Sequence, residues 1–375
     1  MIRKQEILDI VKNYSLDEIT IATIGSHSAL DICEGAKFFG FKTLVICQEG
    51  REKVYSKYFK TNAGKGVVDD VLTLKKFSDI ADKKIVSILQ ERNVIFIPHR
   101  SFEVYVGFDK IENEFLVPLF GTRNLLRAEE RNYEKGQYYL MEKAEIPFPK
   151  RYKNPKEIKN LAIVKVSEAQ RSYERAFFLA SNFSEYKEKS EKLIKEGKIT
   201  KKALNEAIIE EFIIGAHVNF NYFYSPIDKK LELLGTDIRR QTNLDGFLRL
   251  PAEQQIKALE YLDIKTIEVG HIACTVRESL LEKIFDLGEK FVNVTKKELP
   301  PGIIGPFALQ SVITPGPPEE KIVVFDVSLR VPGSPGTKYT PYSLYLHREE
   351  ISFGRRIAME IKKAINSSKI TEIVT

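Results

Sequence analysis

Residues 19–47 restrict the fold of this 375-residue chain more than any other stretch. Residues 19–24, Ile-Thr-Ile-Ala-Thr-Ile, are a β-branched, mainly apolar run of strand length, and Gly25-Ser26-His27-Ser28 is a polar turn. Residues 29–39 read as a helix, Gly40 suits the positive φ of a helix C-terminus, and residues 43–47 are a second apolar strand. Strand, helix and strand in this order make a parallel crossover unit, whose strands are covered on both faces and so carry unbroken apolar runs. Another such run, residues 94–97, stops at Pro98. The N-terminal part is therefore expected to be an open, mostly parallel α/β sheet, which binds ligands at the carboxyl ends of its strands. Gly25-Ser26-His27-Ser28 and His99-Arg100-Ser101 fall at those ends.

The chain is too long for one ordinary core, so two or three modules are expected. A helix is read over 129–144, then Ile146-Pro147-Phe148-Pro149 as an extended link. A strand over 161–165 ends in Lys165, and a polar stretch leads to a second strand over 176–180. Helices follow over 186–196 and 201–207, strands over 208–214 and 218–224, and a long helix over 279–298. Two strands, 305–310 and 321–330, are joined through the Pro/Gly-rich residues 315–318. Alternation in the last strand puts Phe325, Val327 and Leu329 on a core face and Asp326, Ser328 and Arg330 on a polar one. A carboxylate at Asp326 beside the amide of Gln310 would suit Mg²⁺, which takes hard oxygen ligands and is completed by water and phosphates. A half-exposed hairpin with a polar outer face fits the same pattern. Lys165 reads as a phosphate-neutralising charge or as a solvated strand end. Of Glu210 and Glu211, alternation allows one to face inward. The His27 turn is either an anion site at a helix N-terminus or an ordinary N-cap by Ser28.

Several function classes are excluded. The net charge of +6 comes from interspersed Lys, Arg, Asp and Glu without a basic block, so no nucleic-acid partner is expected. No apolar run approaches the length of a membrane span and the first residues lack a signal-peptide core, so a cytoplasmic protein without a membrane partner is expected. Cys33, Cys47 and Cys274 are widely spaced, which argues against a disulfide framework or zinc knuckle. There is no Gly-x-x-x-x-Gly-Lys-Ser/Thr loop, Gly-x-Gly-x-x-Gly opening, His-Glu-x-x-His helix or Gly-x-Ser-x-Gly elbow.

The order of parts, an α/β module, a lysine-bearing strand with a polar loop, an acidic strand and a late metal-binding strand pair, resembles the ATP-grasp enzymes. More narrowly, the chain resembles the archaeal 5-formaminoimidazole-4-carboxamide ribonucleotide (FAICAR) synthetases over its whole length. The resemblance is carried by Ile21-Ala22-Thr23-Ile24-Gly25-Ser26-His27-Ser28, Pro98-His99-Arg100-Ser101-Phe102, Val117-Pro118-Leu119-Phe120-Gly121, Asn243-Leu244-Asp245-Gly246, Arg277-Glu278-Ser279-Leu280-Leu281 and Pro301-Gly302-Ile303-Ile304-Gly305-Pro306-Phe307. It implies an α/β domain over 1–125 that holds a ribonucleotide, and an ATP-grasp region over 126–375. The latter would comprise a lysine strand and flexible loop (about 145–215) and a metal-binding sheet (about 216–375). It also implies that ATP phosphorylates formate and that the 5-amino group of aminoimidazole carboxamide ribonucleotide (AICAR) captures the formyl phosphate, with no folate.

By position, the resemblance puts His27, Ser101 and His271 at the ribonucleotide, and Lys165, Glu210, Glu211, Asn219 and Gln241 at ATP. Gln310 and Asp326 fall at Mg²⁺ or Mn²⁺, and Lys165 and Arg330 among the catalytic groups. It further implies small-molecule partners and a homo-oligomer. The chain departs from the family pattern in residues 166–176, which contain no glycine where a glycine-rich phosphate-covering loop is usual. Arg171 and Arg175 are read there as replacement phosphate donors, a solvated charged loop being the other reading. His271 stands where many members carry asparagine, and Gln241 where they carry an acid. Two rival readings stay open: a ligase for another carboxylate and amine, and a nucleotide-binding regulator without catalysis.

Overall fold

The computed structural model describes residues 1–167, 169 and 175–375. Its first sheet is parallel and ordered β3-β2-β1-β4, from β1 (Thr20–Ile24), β2 (Lys42–Gln48), β3 (Asp70–Leu74) and β4 (Val94–Phe96). All of β1 and β4 is buried, as expected for their mainly apolar runs. The helix Ala29–Phe38 follows β1, and Gly40 takes φ +81° beyond its end. β1 has β2 on one side and β4 on the other, so the chain reverses direction of travel between β1 and β4. The two loops that leave that switch point therefore diverge and open a crevice between them.

The second sheet is antiparallel and ordered β11-β10-β9-β12-β13, from β9 (Ala216–Ser225), β10 (Lys230–Gln241), β11 (Glu268–Cys274), β12 (Gly305–Thr314) and β13 (Lys321–Ser328). The third, β5-β8-β6-β7, is also antiparallel and joins β5 (Arg151–Tyr152), β6 (Ala162–Ser167), β7 (Arg175–Ala180) and β8 (Ile208–Glu211). The long helix Leu281–Glu298 covers the second sheet, with Phe291 stacked near Phe307 and Tyr222 donating to Ile284 O at 2.7 Å. The C-terminal helix Phe353–Asn366 returns to the first module. It packs Phe353, Ile357 and Ile361 with Ile32, Ala36 and Ile95, and Arg355 pairs with Glu34. Among the described residues no helix is long and apolar enough to cross a membrane.

Two expectations are corrected. The helix read over 129–144 is confined to Gln137–Lys143, because the residues before it have another task. β13 is an edge strand, and its outward N–H groups need acceptors. The Glu129 carboxylate accepts from Leu329 N at 2.5 Å, and the Gln137 amide oxygen accepts from Val327 N at 3.0 Å. The Gln137 amide also donates to Glu129 O at 2.8 Å, which binds this segment to the strand. Second, Phe325 does not share the core face with Val327 and Leu329. Gln310 faces Asp326 but Ser311 faces Val324, so Phe325 is the extra residue of a β-bulge. The core set changes parity there, from Ile322 and Val324 to Val327 and Leu329. Phe325 lies instead beside the His217 ring, 5.5 Å between centroids, with Lys165 Nζ 6.0 Å from its own centroid.

Candidate active site

The diverging loops after β1 and β4 bring two imidazoles together, with His27 and His99 stacked at 5.3 Å and 14° between planes. Their hydrogen bonds assign the tautomers. His99 Nε2 donates to Ile24 O at 2.8 Å, which leaves its Nδ1 to accept from Ser101 N at 3.3 Å. The Ser28 hydroxyl donates its one proton to Pro332 O at 2.9 Å, so it accepts the Nδ1–H of His27 at 2.8 Å. The Nε2 lone pair of His27 is thus left towards the cavity. Burial lowers both pKa values, that of His99 to about 4, and both rings are neutral at pH 7. Gly333 permits this arrangement, since a Cβ there would lie 2.8 Å from His27 Nε2.

His27 opens onto a cavity of about 310 Å³, lined also by Asp326, Ser328 and Arg330 of the polar face read from sequence. Gln310, Asn219 and His271 join them, whereas Ser101 is buried at the start of the helix Arg100–Val106 and Arg100 is its neighbour on the cavity wall. Arg330 lies 3.7 Å from Glu103 and 3.5 Å from Glu129, and Arg100 lies 3.2 Å from Glu103. Two buried acids thus hold two guanidiniums at the wall. Burial, reinforced by the Glu129 charge, pushes Glu103 up to about 8.

On the opposite wall, Asp237 accepts from Asn219 at 2.9 Å and Asn221 at 2.6 Å, and bonds His271 Nδ1. His271 Nε2 is 2.9 Å from Glu268, which also holds Arg239 at 3.1 Å. Burial opposes the imidazolium, but hydrogen bonds to Asp237 and Glu268 outweigh it and lift His271 to about 9. It is a cation at neutral pH, unlike the other two histidines. A pH dependence follows. Below the ordinary value of 6.5 the ring is charged in folded and unfolded chains alike, so the pairing contributes fully, and it is lost as pH rises through about 9. The thermal unfolding midpoint of the wild type should therefore fall across that window, and His271→Asn should flatten the dependence. Parallel curves for the two proteins would contradict the assignment.

The remaining residues surround β6 and β8. Lys165 pairs with Glu210, both buried, and Tyr138 donates to the same carboxylate at 2.6 Å. Burial lowers the pKa of Lys165, with Glu210 opposing. Alternation turns Glu211 to the other face of β8. A smaller cleft of about 50 Å³ lies at Lys165 and shares Glu130 and Arg131 with the main cavity, so that pair forms a wall common to the two. Gln241 lies at the bulged end of β10, donating to Thr266 O at 3.1 Å, away from both clefts. Arg171 lies outside the described residues, and Arg175 opens β7.

Asp326 and Gln310 face each other in register, as expected from sequence. Asp326 is held by Arg131 at 2.8 Å, and the positive field of Arg131, Lys165 and Arg239 overcomes burial to lower its pKa. The Gln310 amide donates to Ser328 at 3.2 Å, but its buried oxygen has no partner. One carboxylate and one open amide oxygen fit a Mg²⁺ ion that takes its other ligands from water and phosphates. Among the described residues no group of three acidic, His or Cys side chains offers a closed metal cage.

Comparison with known proteins assigns the chain. Models described as a domain of unknown function (DUF1297) and a protein of unknown function (DUF1246) match residues 185–375 and 21–152. The 5-formaminoimidazole-4-carboxamide-1-(beta)-D-ribofuranosyl 5'-monophosphate synthetase of Methanocaldococcus jannaschii is 41% identical over 100% of both chains. That of Methanothermobacter thermautotrophicus is 40% identical over 100% of this chain and 99% of its own. The chain belongs to the FAICAR synthetase family. The crystal structure of an IMP biosynthesis protein PurP from Thermococcus kodakaraensis matches with TM-score 0.70 at 28% identity, over 95% of this chain and 100% of that one. N5-carboxyaminoimidazole synthetase from Staphylococcus aureus, at 13% identity, shares the fold with TM-score 0.58 over 91% and 76% of the chains. The fold is that of the ATP-grasp ligases, as the order of parts implied. In this FAICAR synthetase family member, sequence reading missed Arg131, Glu129, Asp237 and Glu268. Arg131 and Glu129 were hidden inside an expected helix, and Asp237 and Glu268 lie on β10 and β11, which were not read as strands.

Proposed function

We propose that this ATP-dependent carbon–nitrogen ligase formylates AICAR, with formate as the one-carbon donor. The observation that carries the reading is the shared wall between two chemically distinct spaces. Arg131 and Glu130 line both the Lys165 cleft and the cavity of His27, Arg330 and His271. A phosphoryl donor at Lys165 and an amine in the cavity would then meet beside Asp326.

In the first step a formate oxygen attacks the γ-phosphorus of ATP, and the β–γ bridging oxygen leaves with ADP. In the second the 5-amino nitrogen of AICAR attacks the formyl carbon. The carbon–oxygen bond to phosphate breaks, and the amine proton leaves with the phosphate. Neither step needs a covalent enzyme nucleophile; positioning and charge neutralisation carry phosphoryl transfer. Lys165 and Arg131 supply positive charge to the phosphates, and Arg330 faces the site where charge develops on the formyl oxygen. Asp326 and the open oxygen of Gln310 would hold Mg²⁺, which neutralises the triphosphate when bound. Neutral His27 offers Nε2 as an acceptor to the ribonucleotide, and cationic His271 offers charge to its anionic groups.

The test is ADP release by the purified protein. Dependence on both formate and AICAR supports the reading, whereas nucleotide binding without turnover would favour a regulator. His27→Ala is expected to weaken AICAR by about 0.5–1.5 kcal/mol, the range for a hydrogen bond between neutral groups. ATP affinity should be unchanged, and calorimetric titration of both ligands checks it; an equal loss of ATP affinity would contradict the placement.

A further inference from the structure

Lys165 and Arg131, the cations proposed for the phosphates, are both already held by carboxylates. Lys165 pairs with Glu210, and one terminal nitrogen of Arg131 lies 2.8 Å from Asp326 Oδ1. Arg131 is the less firmly held of the two. Its Nε is buried and has no partner among the described residues, which leaves a donor unspent at a cost. Glu210, by contrast, is fixed from a second side by the Tyr138 hydroxyl at 2.6 Å. Arg131 also belongs to the wall common to both spaces, lining the main cavity with Asp326 and Gln310 and the smaller cleft with Lys165. A guanidinium there adjoins both sites, and its planar fork of N–H groups matches a phosphate as well as a carboxylate.

We infer that Arg131 guards the metal position: it holds Asp326 until the triphosphate is bound and then passes to the phosphates, so that a divalent cation is accepted only together with the nucleotide. This rests on the metal and phosphate positions proposed above. A divalent cation arriving alone would find one carboxylate already paired with a guanidinium and one neutral oxygen, that of Gln310. It would also be repelled by Arg131, Lys165 and Arg239, the three cations whose charges act on Asp326. The triphosphate reverses the balance. Its negative charge offsets the three cations, and its oxygens complete the ligand set that Mg²⁺ requires. Arg131 exchanges a carboxylate oxygen for phosphate oxygens, and its unspent Nε gains an acceptor. Asp326 is freed by the same exchange.

Equilibrium dialysis of the full chain against Mn²⁺, without formate or AICAR, is the test. The wild type should retain Mn²⁺ only when a non-hydrolysable ATP analogue is present. Arg131→Met keeps the apolar stem and removes the charge. It should bind Mn²⁺ without nucleotide about tenfold or more tightly than the wild type, since one like charge beside the ion is gone. Its affinity for the analogue should fall. Adding Asp326→Asn to Arg131→Met should abolish the gain, which ties it to this site. A wild type that retains Mn²⁺ as tightly without the analogue as with it would overturn the inference, however the variants fold. A folded Arg131→Met with no gain would overturn it too. If Asp326→Asn alone left retention with the analogue unchanged, the metal position itself would be wrong and the inference would go with it. Dialysis involves neither formate nor AICAR, so failure of the assigned reaction leaves each of these outcomes readable.

Discussion

Asp326→Asn is expected to cut ADP release by about 10²–10³-fold, the scale seen when one preorganised electrostatic group is removed from a catalytic site. The bulge at Phe325 aims Asp326 at Gln310, and Arg131, Lys165 and Arg239 keep it ionised despite burial. Asparagine keeps the shape and loses the charge. Arg131 then lacks its counter-ion, and the proposed metal position retains one neutral oxygen, that of Gln310. The substitution should preserve the fold, because the core residues Val324 and Val327 on either side are untouched. Turnover measured against Mg²⁺ concentration checks the assignment. Wild-type activity at limiting Mg²⁺ would remove Asp326 from the metal site.

Lys165→Ala should cost both activity and stability, by separable causes. Lys165 and Glu210 are 9% and 2% exposed, and removal of one partner leaves a buried charge uncompensated. Such a break destabilises by about 3–5 kcal/mol. Tyr138 still donates to Glu210 and tempers the loss. Adding Glu210→Gln to Lys165→Ala should recover most of the stability, because no buried charge then lacks a partner, while turnover stays low for want of the phosphate-facing cation. Urea unfolding of the single and double variants, beside ADP release, forms the cycle. If the double variant were no more stable than Lys165→Ala, the ion pair would not be the source of the loss; if it recovered turnover, Lys165 would have no part in catalysis.

Phosphate contacts from the loop after β6 remain a proposal resting on Arg171 and Arg175 as its guanidinium donors. Their double substitution by alanine should reduce turnover more than it raises the KM for the ribonucleotide. Unchanged ATP kinetics would leave Lys165 and Arg131 as the cations at the phosphates.

What the sequence determined by itself is local. Mainly apolar runs at β1, β2 and β4 specify a buried parallel sheet, and Gly40 marks where the first helix must end. The polar turns at His27 and His99 had to lie at strand ends, where parallel sheets bind ligands. The pairing of Gln310 with Asp326 followed from two strands and one tight connection. Tertiary structure decided the rest, because each remaining feature joins residues far apart along the chain. Nothing near Glu129 announces that its carboxylate serves Leu329 N, 200 residues on. The bulge at Phe325 is a property of two strands, and a one-residue insertion reverses which side chains face the core. The charge state of each histidine was likewise invisible. Burial leaves His27 and His99 neutral, and Asp237 with Glu268 makes His271 a cation, so one residue type takes opposite charges within one site through its surroundings alone.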